Sequence, residues 1–174
     1  MEHSAHLVDI LDRSGKVIAQ KKRMAVNKEK DIYHAVYVFL ITPRGELILG
    51  VIPPREDLPN MYVRQFGAPM ATIRRHNETA RQAALRGLSR ELFIDEGDVH
   101  MLGEGMLDLP DNRHTYASAF YIVAEAPSIY SVIDIDTLAV VTPRQLRSLM
   151  QENPQEIAPT LKQIWERYSD KLPI

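Results

Sequence analysis

The sequence predicts an α/β protein, a mixed α/β sandwich, and three observations carry that reading. HAVYVFLI at 34–41 is an apolar run rich in β-branched and aromatic residues, as a buried strand should be. Ala80, Ala83, Ala84, Gly87, Leu88 and Glu91 recur at intervals of three and four, so they share one helix face. Leu161, Ile164, Trp165, Tyr168 and Leu172 mark an amphipathic final helix. Strands on both sides of a central helix, closed by helices at the end, are the parts of a layered sandwich.

Each element has its own justification. VDIL at 8–11, the turn at 12–16 and VIA at 17–19 read as a hairpin. The charged stretch 21–31 reads as a surface connection. After the first core strand, TPRGE at 42–46 turns the chain and LILGVI at 47–52 returns it, giving a second hairpin. The proline-rich stretch 53–59 reads as a rigid loop. Asn77 is the expected N-cap of the principal helix, with Glu78 beside its positive start. Small residues on the buried face of that helix let it lie close to a sheet. A further strand is expected at 116–124 and one more at 132–138. Thr142, with Pro143 at the first helical position, opens the next helix. With no repeat, low-complexity tract or linker, a single domain over 1–174 is expected. It comprises an N-terminal hairpin and connection (1–33), a core (34–141) and C-terminal helices (142–174).

Composition narrows the function. The chain is 45% hydrophobic and 25% charged, ordinary for a globular protein. A net charge of −2 provides no global positive field for nucleic acid or an anionic membrane, and neither partner is expected. The longest apolar run is too short to cross a bilayer, and the N-terminus lacks the basic start and apolar core of a signal peptide. A cytoplasmic location is the expectation. The chain has no cysteine, which removes thiolate zinc sites and any cysteine nucleophile. His3 and His6 read as part of a terminal tail, not as a ligand pair.

The helix and its approach resemble the Nudix box. The usual pattern is Gly, five residues, Glu, seven residues, then Arg-Glu-apolar-x-Glu-Glu-x-Gly-apolar. Here Glu78 is followed by seven residues and Arg86, with Leu88 at the first apolar place, Glu91 at the last carboxylate and Ile94 at the closing apolar position. The core hairpin HAVYVFLITPRGELIL, the loop before the box and the tail ENPQEIAPTLKQI resemble the Nudix branch that includes isopentenyl-diphosphate isomerases. The resemblance implies a Nudix-like α/β/α sandwich with a mixed central sheet, and a box spanning 67–94. It also leaves open a homodimer, with the N-terminal hairpin as an interface.

The departures bear on chemistry. Gly87 and Arg90 stand where the pattern has glutamates, Phe93 where it has glycine, and Thr72 where it has the leading glycine. Positions 87, 90 and 91 are expected to converge on one helical face, where three carboxylates would hold magnesium. This chain supplies Glu91 alone. Magnesium is therefore expected to bind weakly, with Glu91 as its metal ligand and Glu91 and Glu78 as the catalytic candidates. Asp95, Glu96, Glu104 and Asp108 are possible additional ligands, the last two in an expected loop before a strand. Against these acids stand arginines at 74, 75, 81, 86 and 90. Guanidinium groups grip phosphates bidentately without metal, so Arg74, Arg75, Arg86 and Arg90 are the substrate-binding candidates. Arg86 also matches the family's structural arginine, and for it the resemblance makes the scaffold role the preferred reading over anion binding. His34 and His114 read as hydrogen-bonded structural groups, and Tyr62, Phe66, Tyr116 and Tyr121 as core.

Three functions compete. One is a divergent hydrolase of a diphosphate-containing small molecule, a Nudix-type pyrophosphohydrolase with a weakened metal site. The second is a non-catalytic module that binds a phosphorylated metabolite through arginines. The third is an isomerase-branch enzyme working without the usual cysteine.

Overall fold

A computed structural model of the protein describes residues 6–54 and 62–174. His3 and most of the proline-rich loop at 53–59 lie outside the described residues. The strands are β1 (Leu7–Leu11), β2 (Val17–Lys22), β3 (Ile32–Ile41), β4 (Leu47–Val51), β5 (Phe66–Gly67), β6 (Met70–Ile73), β7 (His100–Asp108), β8 (His114–Val123) and β9 (Leu138–Val141). The helices are α1 (Ala80–Leu92), α2 (Pro143–Glu152) and α3 (Pro159–Tyr168).

Strand β3 organises the molecule. Its alternate residues point to opposite faces. Tyr33, Ala35, Tyr37, Phe39 and Ile41 join Leu146, Leu161, Ile164 and Trp165 of α2 and α3 in one core. Val36, Val38 and Leu40 join Met70 and Ala83, Ala84, Leu88 and Leu92 of α1 in a second core. Burial on both faces is why this strand reads as an unbroken apolar run. The result is a mixed α/β sandwich with helices on both sides of a mixed sheet.

One edge of β3 pairs in parallel with β8 along its length, from Tyr33 opposite Thr115 to Ile41 opposite Val123. The other edge is shared in turn by β1, β6 and β4, all antiparallel. Strands β5 and β9 add to β4, and β7 adds to β8. Because β6 and β4 follow one another along one edge and then diverge, a gap opens between them. The candidate site lies there.

The turns follow local chemistry. In the first hairpin, Asp12 Oδ1 accepts from the Ser14 and Lys16 amides at 2.8 and 3.0 Å, and Gly15 takes φ +86°. Three expectations change. The chain at 132–137 is not a strand: the Asp134 and Ile135 amides donate back to the Ser131 carbonyl, and β9 begins only at Leu138. The segment holding Glu104 and Asp108 is strand β7 and not a loop. Its glycines, Gly103 and Gly105, break the β-propensity pattern that would have marked it. The N-cap of α1 is Thr79, whose hydroxyl accepts from the Gln82 amide while Gln82 Oε1 accepts from the Thr79 amide, at 3.1 and 2.8 Å. Asn77 sits two residues earlier in a left-handed turn at φ +62°.

Candidate functional site

A pocket of about 640 Å³ opens beside the last turn of α1. Its wall includes Arg86, Arg90 and Glu91 of α1, Ala71 and Thr72 of β6, Arg75, and the segment from Ser131 to Ile135. Tyr33, Tyr37, Tyr62, Arg113 and Thr115 line it as well, and Arg23 and Lys28 enter from the connection after β2. Six cations, Arg23, Lys28, Arg75, Arg86, Arg90 and Arg113, face two acids, Glu91 and Asp134, among the described residues that line it. His6 also borders it, so that residue belongs to the pocket rim and not to a detached tail.

Glu91 is buried, only 3% exposed. Burial pushes its carboxyl up to about 7; the Arg90 guanidinium opposes this, and Asp134 adds to it. Arg90 contacts the Glu91 carboxylate directly. The Glu91 carbonyl accepts from the Ser131 amide at 2.7 Å, and Ser131 Oγ donates to Asp134 Oδ2 at 2.7 Å. The chain after β8 thereby folds onto the end of α1 and brings a second carboxylate toward Glu91. Asp134 was not among the sequence candidates. Its only signal was the Ser131-x-x-Asp134 spacing, typical of a side-chain-stabilised turn.

Glu78 and Arg86 hold each other. Arg86 Nε donates to Glu78 Oε1 at 2.7 Å and Arg86 Nη2 to Glu78 Oε2 at 2.9 Å. Arg86 also donates to the Ile73 carbonyl at 3.0 Å and to Thr72 Oγ1 at 3.3 Å, while Glu78 Oε2 accepts from the Arg75 amide at 2.9 Å. This clamp ties α1 to β6 and to the turn before the helix. Burial raises the Glu78 carboxyl, but Arg86 and the Arg75 amide outweigh it and the net shift is down. Arg74 lies apart, 3.6 Å from Asp9, and borders a second groove with Glu78 and Glu104.

The other acids are engaged elsewhere. Asp95 accepts from Ser89 Oγ, and Asp108 from Arg13 at 3.1 Å and His114 at 2.5 Å. Glu104 accepts from Ser118 Oγ at 3.2 Å and Tyr116 at 3.3 Å. None of Asp95, Glu96, Glu104 or Asp108 lines the Glu91 pocket. His34 is buried and bonded to Ser118 Oγ at 2.7 Å, and Tyr121 stacks on His100 at 4.9 Å.

Magnesium fits this donor set poorly. Among the described residues no group of three or more metal-ligating side chains is present. The helix offers one carboxylate, and a guanidinium already engages it. Position 87 also departs from the expected convergence. An ideal Cβ built on Gly87 falls 2.4 Å from Met70 Sδ, so the space for a third ligand is filled by a thioether buried in the core. A thioether is a soft donor that hard cations avoid.

No family model matches the chain, and no curated protein does. Solved structures do match. The crystal structure of DR0079 from Deinococcus radiodurans superposes with a TM-score of 0.76 at 18% identity, over 93% of this chain and 99% of that one. The NUDIX domain of Shewanella oneidensis NrtR, solved with ADP ribose, gives 0.60 at 13% identity, over 87% and 93%. The E. coli dihydroneopterin triphosphate pyrophosphohydrolase gives 0.53 at 14% identity, over 75% and 95%. The fold is therefore Nudix-like.

Proposed function

We propose that this chain binds a diphosphate-containing small molecule in the pocket beside Glu91, and that arginines take over the charge neutralisation that a full Nudix box leaves to magnesium. One observation carries the reading: a concave pocket lined by more cations than acids, in a chain whose net charge is negative. The structural neighbours support it by kind, because NrtR was solved with ADP ribose and the E. coli protein acts on dihydroneopterin triphosphate. Both ligands carry linked phosphates.

Arg75 and Arg90 are the phosphate-binding residues of this reading. A guanidinium has five N–H donors, so Arg90 keeps donors for a phosphate while it touches Glu91. Arg86 lines the pocket too, but its clamp on Glu78 makes it the part that holds the wall in place. Arg74 faces the second groove and takes no part.

Hydrolysis is the second reading, and the Glu91 carboxyl favours it. A carboxyl whose protonation balances near neutral pH suits proton transfer. Water would lose a proton to Glu91 and form a new bond to phosphorus, while the bridging P–O bond breaks and the departing phosphate leaves with the electron pair. Such turnover is expected to be slow, because the donor set for a metal is poor.

Thermal melting with ADP in the presence of EDTA tests the proposal. Millimolar ADP is expected to raise the melting temperature without metal, since a ligand that binds only the folded state stabilises it. The double variant Arg75→Ala/Arg90→Ala is expected to lose that shift. An ADP effect that appears only when magnesium is added would contradict the arginine reading.

A further inference from the structure

Strand β2 ends the sheet. It pairs with β1 alone among the described residues, and every residue in it except Lys21 is exposed. Successive strand residues point to opposite faces, so both faces of β2 meet solvent. Ile18 is 64% exposed here, and Met24, just after the strand, is 79% exposed. The charge along this hairpin has one sign. Arg13, Lys16, Lys21, Lys22, Arg23 and Lys28 fall between positions 13 and 28, with no acid among them.

A second patch has the opposite charge. Ile129, Val132 and Ile133 are each at least 70% exposed. From position 124 to 142 the chain holds Glu125, Asp134 and Asp136 and no lysine or arginine. The bond from the Ser131 amide to the Glu91 carbonyl seats this segment beside the end of α1, where Phe93 is exposed and Asp95, Glu96 and Asp98 follow. Exposed apolar groups gathered in a patch mark an interaction surface. Two such patches, opposite in charge, lie on one molecule.

The patches fit each other and not themselves. Hairpin against hairpin would bring together the exposed Lys16 and Lys22 of both copies, and lysines on an edge strand oppose such pairing. Hairpin against acidic segment covers Ile18 and Met24 and sets cations beside acids. An anionic membrane would attract the hairpin but repel the acidic segment, leaving its isoleucines uncovered. Both patches also reach the pocket, through Arg23 of the first and Ile133 of the second. Ile133 lines the pocket and is still 76% exposed, which places it at the mouth.

We propose that two copies of this chain form a twofold dimer, in which the β1–β2 hairpin of each copy sits on the 129–133 segment of the other and covers the pocket mouth. Each patch is used twice, so the assembly closes as a dimer. The inference does not depend on what the pocket binds.

Sedimentation velocity on the full chain tests it. Wild type is expected to be largely dimeric at about 100 μM and to dissociate on dilution toward about 1 μM. Ile18→Asp and Ile133→Lys, both at exposed positions, should each weaken the dimer about tenfold or more, because each buries a charge against its own sign. The charge-swap variants Lys16→Glu/Lys22→Glu and Glu125→Lys/Asp136→Lys should each be monomeric alone. Mixed, each offers the other a patch of opposite sign at both contacts, and a heterodimer is expected; its appearance also shows that both variants fold. A wild type that stays monomeric at the highest concentration would overturn the proposal. So would variants that dimerise like wild type, or a mixture that yields no heterodimer. A monomeric wild type that sediments with phosphatidylserine vesicles would assign the hairpin to a membrane instead, and would overturn the proposal too.

Discussion

Glu91 and His34 are both buried, and burial drives their protonation in opposite senses. Burial holds the Glu91 carboxyl up at about 7 against an ordinary 4.5, and holds His34 down at about 4 against 6.5, with Arg74 adding to the latter. A carboxyl raised on folding contributes stability that is full below about pH 4.5 and lost as pH rises through 7. A histidine lowered on folding contributes stability that is full above about pH 6.5 and lost as pH falls through 4. The two oppose one another across one window. Relative to wild type, Glu91→Gln should gain stability and His34→Gln should lose it as pH rises from about 5 to about 7, by an amount on the order of 2 kcal/mol each. Urea denaturation at several pH values measures this, and curves parallel to wild type would contradict it. Arg86 supports a second prediction. Arg86→Ala should cost about 2 kcal/mol, below the usual loss for a broken buried pair because both partners keep some contact with solvent. In the sequence Arg86 had a scaffold reading only through the resemblance to the family's structural arginine; the partners it holds are Glu78, Ile73 and Thr72. Asp134 was not legible, because its approach to Glu91 depends on a turn some forty residues farther along the chain.

At the scale of elements, the strands and helices with strong periodic patterns were readable and the short or glycine-bearing ones were not. β3, both hairpins and the two C-terminal helices follow from local pattern. β5 and β6 are too short to show a period, and β7 is interrupted by glycine. Helix α1 was readable as a helix, but its start was not. Thr79 and Gln82 outcompete Asn77 because they satisfy two end amides at once. Its other end holds a measurable strain. Phe93 occupies the C-cap in the left-handed region, φ +52°, where the resembled pattern has glycine, and the residue is 56% exposed. Phe93→Gly should therefore stabilise the protein by about 1 kcal/mol, the cost of a left-handed conformation with a Cβ. Equilibrium denaturation with an unchanged or lower midpoint would show that the Phe93 ring contributes more than the strain removes. Gly87 shows the reverse situation. Met70 fills the space beside it, so Gly87→Glu should destabilise the fold and should not rebuild a magnesium site when combined with Arg90→Glu. A magnesium-dependent rise in the melting temperature of that double variant would contradict this.

At the scale of the molecule, the sheet divides where β6 and β4 leave the shared edge of β3, and α1 closes the gap with the arginine-rich end of its face. The sandwich was legible from the sequence because burial on both faces of β3 leaves a continuous apolar run. The pocket was not, since it assembles Arg23, Arg75, Arg90, Arg113 and Asp134 from five separate segments. What the sequence did carry was the imbalance itself, a helix with one carboxylate, Glu91, and three arginines, Arg81, Arg86 and Arg90. The central claim is that phosphates meet arginines here where a full box would use metal. The most direct measurement is a crystal structure grown with ADP and manganese, read by anomalous scattering. The account predicts ADP phosphates against Arg75 and Arg90, with no manganese peak on the Glu91 carboxylate. Manganese held between Glu91 and Asp134, bridging the ADP phosphates, would contradict it.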